Sequence, residues 1–145
     1  MGAPFSIGID VQASRPCPYV VLDDAAREVE SGWFSGDDDI GFVMGGLCAR
    51  FAGAVFGIDS PRAPLDRPRE WYWRQGGWDR RRATDKGYGR HCEVVIKAHN
   101  IANPQWTRFS DDAPDWMRIG FRIFAALDGH ATAHEVFPSA SYRLL

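Results

Sequence analysis

Cysteines, long apolar runs and targeting signals are scarce or absent in this sequence of 145 residues. The three cysteines, Cys17, Cys48 and Cys92, are too few and too widely spaced for a disulfide framework or a CxxC zinc pair. No apolar run approaches the ~18 residues of a transmembrane helix, and the first residues lack the basic and apolar regions of a signal peptide. We therefore expect a reduced, cytoplasmic protein with no membrane partner.

Motifs of several common enzyme classes are also missing. The chain has no GxSxG turn of a serine hydrolase and no GxxxxGK[ST] loop of a P-loop ATPase. It has no internal repeat, and its length is that of one domain, so we expect a single domain over residues 1–145. The oligomeric state stays open.

Charge is distributed unevenly along the chain. Residues 1–61 carry 3 basic and 9 acidic side chains, whereas residues 62–90 carry 9 basic and 4 acidic ones. The first segment therefore has a net charge of −6 and the second a net charge of +5. A local basic patch of this kind can attract a polyanion even when the whole chain is slightly acidic.

The hydrophobic pattern predicts an α/β fold with a mixed sheet. Alternating apolar residues indicate three opening strands in an antiparallel meander, after which helices and strands alternate. In chain order we expect strands over 5–12, 17–24 and 27–34, a helix over 40–51, a strand over 54–60, a long irregular stretch over 61–112 with a short helix within 89–100, a helix over 111–129 and, within 131–145, a last strand that Pro138 ends.

Three acidic residues, Asp10, Asp59 and Glu135, lie within these strand-like runs. A buried carboxylate is costly unless it is paired or binds a metal, and parallel neighbouring strands would bring Asp10 and Asp59 together. Mg²⁺ or Mn²⁺ held by such carboxylates can activate water and stabilise a leaving oxygen in phosphodiester hydrolysis. Two alternatives stay open: Asp59 caps the turn that follows it, and Glu135 pairs with an arginine.

The irregular stretch contains a segment, residues 67–90, in which arginines alternate with tryptophans and tyrosines. Arginine binds phosphate oxygens and aromatic rings stack on bases, so this composition suits a nucleic-acid contact. We predict Arg80, Arg81 and Arg82 as phosphate-binding side chains. The alternative is a solvated loop whose tryptophans pack against the core while arginines stack on them.

Four short runs resemble the DUF429 family of predicted nucleases, which have an RNase H-like fold. They are GID at 8–10, GIDSPRAP at 57–64, GRHCE at 89–93 and EVFPSASYR at 135–143. The runs occur in the family's order over nearly the whole chain, and the last is the most specific. The resemblance implies an RNase H-like mixed sheet and divalent-metal-dependent nuclease activity.

The resemblance also implies which residues form the site. Asp10, Asp59 and Glu135 match the catalytic, metal-binding positions, with Mg²⁺ or Mn²⁺ as the cofactor. Proteins of this fold usually take a further carboxylate from a C-terminal helix. We expect the present chain to lack that helix, so Glu93 is the candidate to complete the ligand set.

The third of these runs places Arg90 and Cys92 near the site together with Glu93, and Arg90 joins the predicted substrate-binding residues. Because the C-terminal carboxylate is missing, a second hypothesis stays open: a catalytically inactive RNase H-like domain that binds nucleic acid or protein. An actin-like phosphotransferase shares the opening GID strand, but it needs a second half that a chain of this length does not provide.

Overall fold

The computed structural model describes residues 2–144, and its backbone contacts divide the chain into two compact units. Unit 1 comprises Met1–Ala63 and Asp115–Val136, and unit 2 comprises Pro64–Pro114 and Phe137–Leu145. In chain order the elements are β1 (Phe5–Asp10), β2 (Cys17–Asp23), β3 (Glu28–Phe34), α1 (Ile40–Arg50), β4 (Val55–Asp59), β5 (Trp71–Arg74), β6 (Gly77–Arg80), α2 (His91–Ala98), α3 (Asp115–Leu127), β7 (Thr132–Glu135) and α4 (Pro138–Leu144). Within residues 2–144 no helix has the length and apolar character needed to span a membrane.

Unit 1 is built on a five-stranded mixed sheet with the strand order β3-β2-β1-β4-β7. Strands β1, β2 and β3 form an antiparallel meander, and β4 and β7 add to β1 in parallel. The predicted α/β class, the meander and the parallel placement of β4 are therefore confirmed.

The apolar face of this sheet carries the core of unit 1. Ile7 and Ile9 of β1 and Phe56 and Ile58 of β4 are buried, and they cluster with apolar side chains of α1 and α3. Because side chains alternate along a strand, the residues between them lie on the opposite face. Ser6, Gly8 and Asp10 of β1 are exposed there.

Helix α1 begins where the acidic run was predicted to start a helix. The side chain of Asp39 accepts a hydrogen bond of 3.0 Å from the backbone N–H of Phe42, which satisfies one of the free donors of the first turn. Ile40, Met44 and Leu47 follow at helical spacing and are buried, as the periodicity predicts.

Unit 2 contains structure that the sequence analysis did not predict. Strands β5 and β6 form an antiparallel hairpin inside the stretch expected to be irregular, and α2 confirms the short helix expected within 89–100. Near the end of the chain, the strand that was expected to end at Pro138 is shorter than predicted. Strand β7 ends at Glu135 and helix α4 follows, so the expected absence of a C-terminal helix is wrong. Helix α4 carries no acidic residue, however, and therefore supplies no further carboxylate.

Candidate functional site

Asp10 and Asp59 occupy directly paired positions at the carboxyl ends of two adjacent parallel strands, β1 and β4. Neighbouring strands lie about 4.8 Å apart, so the two backbone positions are as close as a sheet permits. The pairs Ile9–Ile58 and Gly8–Gly57 precede them in register. The two isoleucines point into the core, and the carboxylates therefore lie together on the other face.

Within residues 2–144, neither carboxylate of this pair forms an ion pair with a positively charged side chain. One oxygen of Asp10, Oδ2, accepts a hydrogen bond of 2.9 Å from the side-chain amide of Gln12. The carboxylate of Asp59 accepts no hydrogen bond from any residue within 2–144. Burial, and then the negative charge of Asp10, raise the pKa of Asp59. Both causes penalise the ionised form, and a bound cation would remove that penalty.

Two glycines leave open space beside this pair. Gly8 and Gly57 face each other one position before the isoleucines, and a side chain at Gly8 would meet no atom within 4 Å. A methyl group at Gly57 would approach Cγ1 of Val136 at 3.2 Å. The surface next to the carboxylates is therefore formed by backbone over Gly8 and is limited by Val136 on the β7 side.

Glu135 lies elsewhere in unit 1. It pairs in register with Ile58 instead of Asp59, so the strand alternation directs it to the face of the core residues. There Glu135 accepts a hydrogen bond from the backbone N–H of Arg62. The guanidinium of Arg62 in turn bonds to the carbonyl of Ala133 and lies 4.6 Å from the centre of the Phe124 ring. The structure therefore brings Asp10 and Asp59 together, whereas Glu135 is bonded to the backbone of Arg62.

Glu93 belongs to unit 2, where it is almost fully buried with 5% of its surface exposed. Its carboxylate accepts hydrogen bonds from the backbone N–H of Arg90 at 2.7 Å and from the backbone N–H of Thr107 at 3.2 Å. The Thr107 hydroxyl also donates to it, and the Arg90 guanidinium lies 3.2 Å away. These contacts fix the start of α2, so Glu93 has a structural role there. Its predicted role as a metal ligand stays a prediction.

No group of three or more His, Cys, Asp or Glu side chains within residues 2–144 is arranged to hold a metal ion. A metal site with three carboxylates is therefore not assembled in this structure. The two-carboxylate arrangement of Asp10 and Asp59 is the part of the predicted site that has the expected proximity.

The predicted phosphate-binding arginines of unit 2 have different partners. Arg80 lies over the Trp71 ring at 4.9 Å, Arg82 forms an ion pair of 2.7 Å with Asp79, and Arg90 is engaged by Glu93. The guanidinium of Arg81 forms no ion pair with any residue that the structure describes. Of the four, Arg81 is the one whose charge is not already balanced by a neighbouring acid or stacked on a ring.

A repeated tripeptide in the sequence agrees with the predicted proximity of Asp10 and Asp59. The tripeptide Gly-Ile-Asp occurs twice, at 8–10 and at 57–59, and the two copies pair residue by residue in β1 and β4. Gln12 was not recognised as a contact of Asp10. Its position two residues after Asp10, just past the end of a strand, is the only trace of this contact in the sequence.

Comparisons of the chain with models of protein families, with curated proteins and with solved structures find no match. The resemblance to the DUF429 family, the RNase H-like assignment and the site that it implies therefore stay predictions.

Proposed function

We propose that this chain is a divalent-cation-dependent nuclease in which Asp10 and Asp59 bind Mg²⁺ or Mn²⁺ beside a phosphodiester of the substrate. The observation that carries the proposal is the in-register pairing of two carboxylates at the carboxyl ends of adjacent parallel strands. Ligands of open α/β sheets commonly bind at this edge. Like charges at directly paired strand positions also repel each other, and a bound cation would offset that repulsion.

The side chains at this edge have the chemistry that the cation needs. Mg²⁺ prefers oxygen ligands and is usually held by one or two carboxylates, with water and substrate phosphate completing its shell. Asp10 and Asp59 supply two carboxylates, and Asp59 has no competing donor among the described residues. The residues present therefore fit a hard divalent cation.

The chain's own contribution to the reaction is to position groups and provide space. The paired strands hold both carboxylates on a rigid backbone, and the Gln12 amide fixes the orientation of Asp10 through its hydrogen bond. The backbone surface over Gly8 leaves room for a substrate next to the carboxylates. When bound, the cation would polarise a phosphoryl oxygen and lower the pKa of water, which is the chemistry that phosphodiester hydrolysis requires.

The sheet supports the RNase H-like part of the proposal. An antiparallel meander is followed by two strands parallel to β1, with helices between them, as the family resemblance leads one to expect. This support concerns the fold alone, because proteins of one fold carry out many different reactions.

A second candidate function is a catalytically inactive domain that binds nucleic acid. It is favoured by the engagement of Glu135 with Arg62 and of Glu93 with Thr107, which leaves a pair of carboxylates instead of a larger ligand set. The two candidates differ in whether nucleic acid is cleaved when a divalent cation is present.

The test is a cleavage assay with labelled single-stranded DNA, single-stranded RNA and duplex DNA, each in Mn²⁺ and in EDTA. Asp10→Asn and Asp59→Asn are compared with wild type and with Asp24→Asn, a control that removes one exposed carboxylate from the β2–β3 turn. We expect cleavage by wild type and Asp24→Asn in Mn²⁺, with a loss of about 100-fold or more in the other two variants.

Equal cleavage by all four proteins would assign the activity to a contaminant and would contradict the proposal. Absence of cleavage by wild type, together with cation-independent binding of nucleic acid, would favour the inactive binding domain.

A further inference from the structure

The β5–β6 hairpin presents an aromatic face to solvent. Trp71 pairs across the strands with Arg80, and Trp73 pairs with Trp78, so the alternation of both strands places these four side chains on one face. The three tryptophans are 40%, 40% and 43% exposed. Tryptophan is highly buried in most proteins, and a cluster of exposed rings indicates a surface that contacts a partner.

The rings on this face have defined contacts with their neighbours. Trp73 meets Trp78 edge to face, with ring centres 5.2 Å apart and planes at 73°. Trp78 stacks on His91 of α2, with ring centres 5.0 Å apart and planes at 28°. The guanidinium of Arg80 covers the Trp71 ring at 4.9 Å. The surface formed by Trp71, Trp73, Trp78, Arg80 and His91 is called the aromatic strip below.

The opposite face of the hairpin holds the aromatic strip in place. Arg74 forms ion pairs with Asp79, at 3.3 Å, and with Asp85. The hydroxyl of Tyr72 accepts a hydrogen bond of 2.8 Å from the backbone N–H of Gly87, and Arg69 lies 3.9 Å from the centre of the Tyr72 ring. The strip is therefore anchored before any partner binds, which lowers the entropic cost of binding.

The turn of the hairpin adds to this rigidity. Gln75 and Gly76 both have positive φ, 49° and 77°, as a two-residue hairpin turn of the I′ type requires. This turn matches the twist of the paired strands and sets the register that brings Trp73 opposite Trp78.

The charge of unit 2 indicates the kind of partner. Its residues include 11 Lys and Arg against 7 Asp and Glu, a net charge of +4, whereas unit 1 has 6 against 12, a net charge of −6. Arg80 lies on the aromatic strip itself, and its guanidinium forms no ion pair with any residue within 2–144. Exposed rings beside a positive charge without an acidic partner suit a polyanion that also carries flat aromatic groups.

We propose that the aromatic strip binds single-stranded nucleic acid, with bases stacking on the tryptophan rings and Arg80 contacting a phosphate. Stacking on aromatic side chains needs bases whose faces are free, which a single strand offers and a duplex does not. The inference rests on the proposed function in one respect, namely that the bound nucleic acid is the substrate of the nuclease. Binding itself requires no cation and does not depend on Asp10 or Asp59.

The test is the affinity for fluorescein-labelled oligothymidylate and for a duplex, measured by fluorescence anisotropy of the full chain in EDTA. The variants are Trp71→Ala, Trp78→Ala and Trp78→Phe, and the matched control is Trp33→Ala. Trp33 is 75% exposed and lies on β3 in unit 1. Circular dichroism establishes that each variant is folded, and Trp78→Phe retains an aromatic ring should Trp78→Ala fail to fold.

We expect wild type and Trp33→Ala to bind the single strand with equal affinity and to bind the duplex more weakly. Trp71→Ala and Trp78→Ala should weaken binding about tenfold or more, and Trp78→Phe should weaken it less. Polyphosphate, which has charge but no bases, should compete poorly.

Three results would overturn the inference: no binding of the single strand, equal binding of duplex and single strand, or equal losses in Trp33→Ala and Trp71→Ala. The proposed function is tested separately by the same proteins. If binding depends on the tryptophans but wild type does not cleave in Mn²⁺, the proposed nuclease activity is contradicted and the role of the aromatic strip is supported. If wild type cleaves and neither Trp71→Ala nor Trp78→Ala changes the cleavage, the nuclease activity is supported and the role of the aromatic strip is contradicted.

Discussion

Asp59 is partly buried in unit 1 and Glu93 is almost fully buried in unit 2, and the surroundings of these two carboxylates are opposite. Glu93 is surrounded by donors, namely two backbone N–H groups, the Thr107 hydroxyl and the Arg90 guanidinium. Asp59 has a second carboxylate, Asp10, in the paired position. Glu93 thus stabilises the fold as it stands, while Asp59 is in a position that a ligand would make favourable.

The largest effect that this comparison predicts is on the stability of unit 2. Glu93→Ala should lower the free energy of unfolding by about 3 kcal/mol or more, because it leaves buried donors and the Arg90 charge unpaired. Urea unfolding monitored by tryptophan fluorescence is suited to this test, since four of the six tryptophans lie in unit 2.

The matched control for this prediction is Glu70→Ala, which removes an exposed glutamate of the same unit. It should change the free energy of unfolding by less than about 0.5 kcal/mol. An equally small effect of Glu93→Ala would show that the donors around Glu93 find other partners.

The second prediction is an increase in stability, in contrast to the decrease expected for Glu93→Ala. In EDTA, Asp59→Asn should raise the free energy of unfolding by up to about 1 kcal/mol, because it removes a like-charge contact between directly paired strand positions. Thermal unfolding followed by far-ultraviolet circular dichroism measures the change, with Asp24→Asn as the control. A clear loss of stability in Asp59→Asn would mean that the Asp59 carboxylate has donors that the structure does not show.

The third and smallest effect is the pH dependence of the difference in free energy of unfolding between Asp59→Asn and wild type. Because the native pKa of Asp59 is raised above its usual value of 3.8, the native state binds this proton more tightly than the unfolded state does. The contribution of Asp59 to stability is therefore most favourable below pH 3.8. It is lost as the pH rises from 3.8 through the raised native pKa.

The measurement for this prediction is the free energy of unfolding of wild type and Asp59→Asn over that pH range in EDTA. The free energy of unfolding of Asp59→Asn should increase relative to that of wild type as the pH rises, and this gain should level off above the native pKa of Asp59. Saturating Mn²⁺ should abolish the gain by stabilising the ionised form in wild type. A difference that does not change with pH would argue against a raised pKa.

Local patterns in the sequence were sufficient to predict most of unit 1. The alternation in residues 5–11 predicts β1, and the acidic cap before Ile40 with its periodic apolar residues predicts α1. The contact of Asp10 with Asp59 also follows from the sequence, since parallel adjacent strands that both end in Gly-Ile-Asp bring their last residues together.

The position of Glu135 was not predicted, because it depends on register. A shift of one residue in a strand moves every side chain to the other face. The register of β7 places Glu135 opposite Ile58, on the face of the buried Ala133. The alternation of two alanines with polar residues over 131–134 indicates this face, but the signal is weak because alanine is small. The resemblance aligns motifs along the chain but does not determine register in this structure.

The hairpin and helix α4 in unit 2 were missed for different reasons. Residues 71–80 alternate Trp and Tyr with Arg, so neither face is purely apolar, and the turn Gln75–Gly76 lacks the Asn-Gly or Asp-Gly signal of a hairpin. Pro138 was interpreted as the end of a strand. Proline is equally favoured as the first residue of a helix, which is the role it has in α4.

The proposed function requires that Asp10 and Asp59 bind one cation together. Its most direct test is a calorimetric titration of Mn²⁺ into wild type, Asp10→Asn, Asp59→Asn and Asp24→Asn. We predict one saturable site in wild type and in Asp24→Asn, and a loss of affinity of about tenfold or more in each of the other two. Binding that is unchanged in Asp10→Asn and Asp59→Asn, or absent from wild type, would contradict the claim.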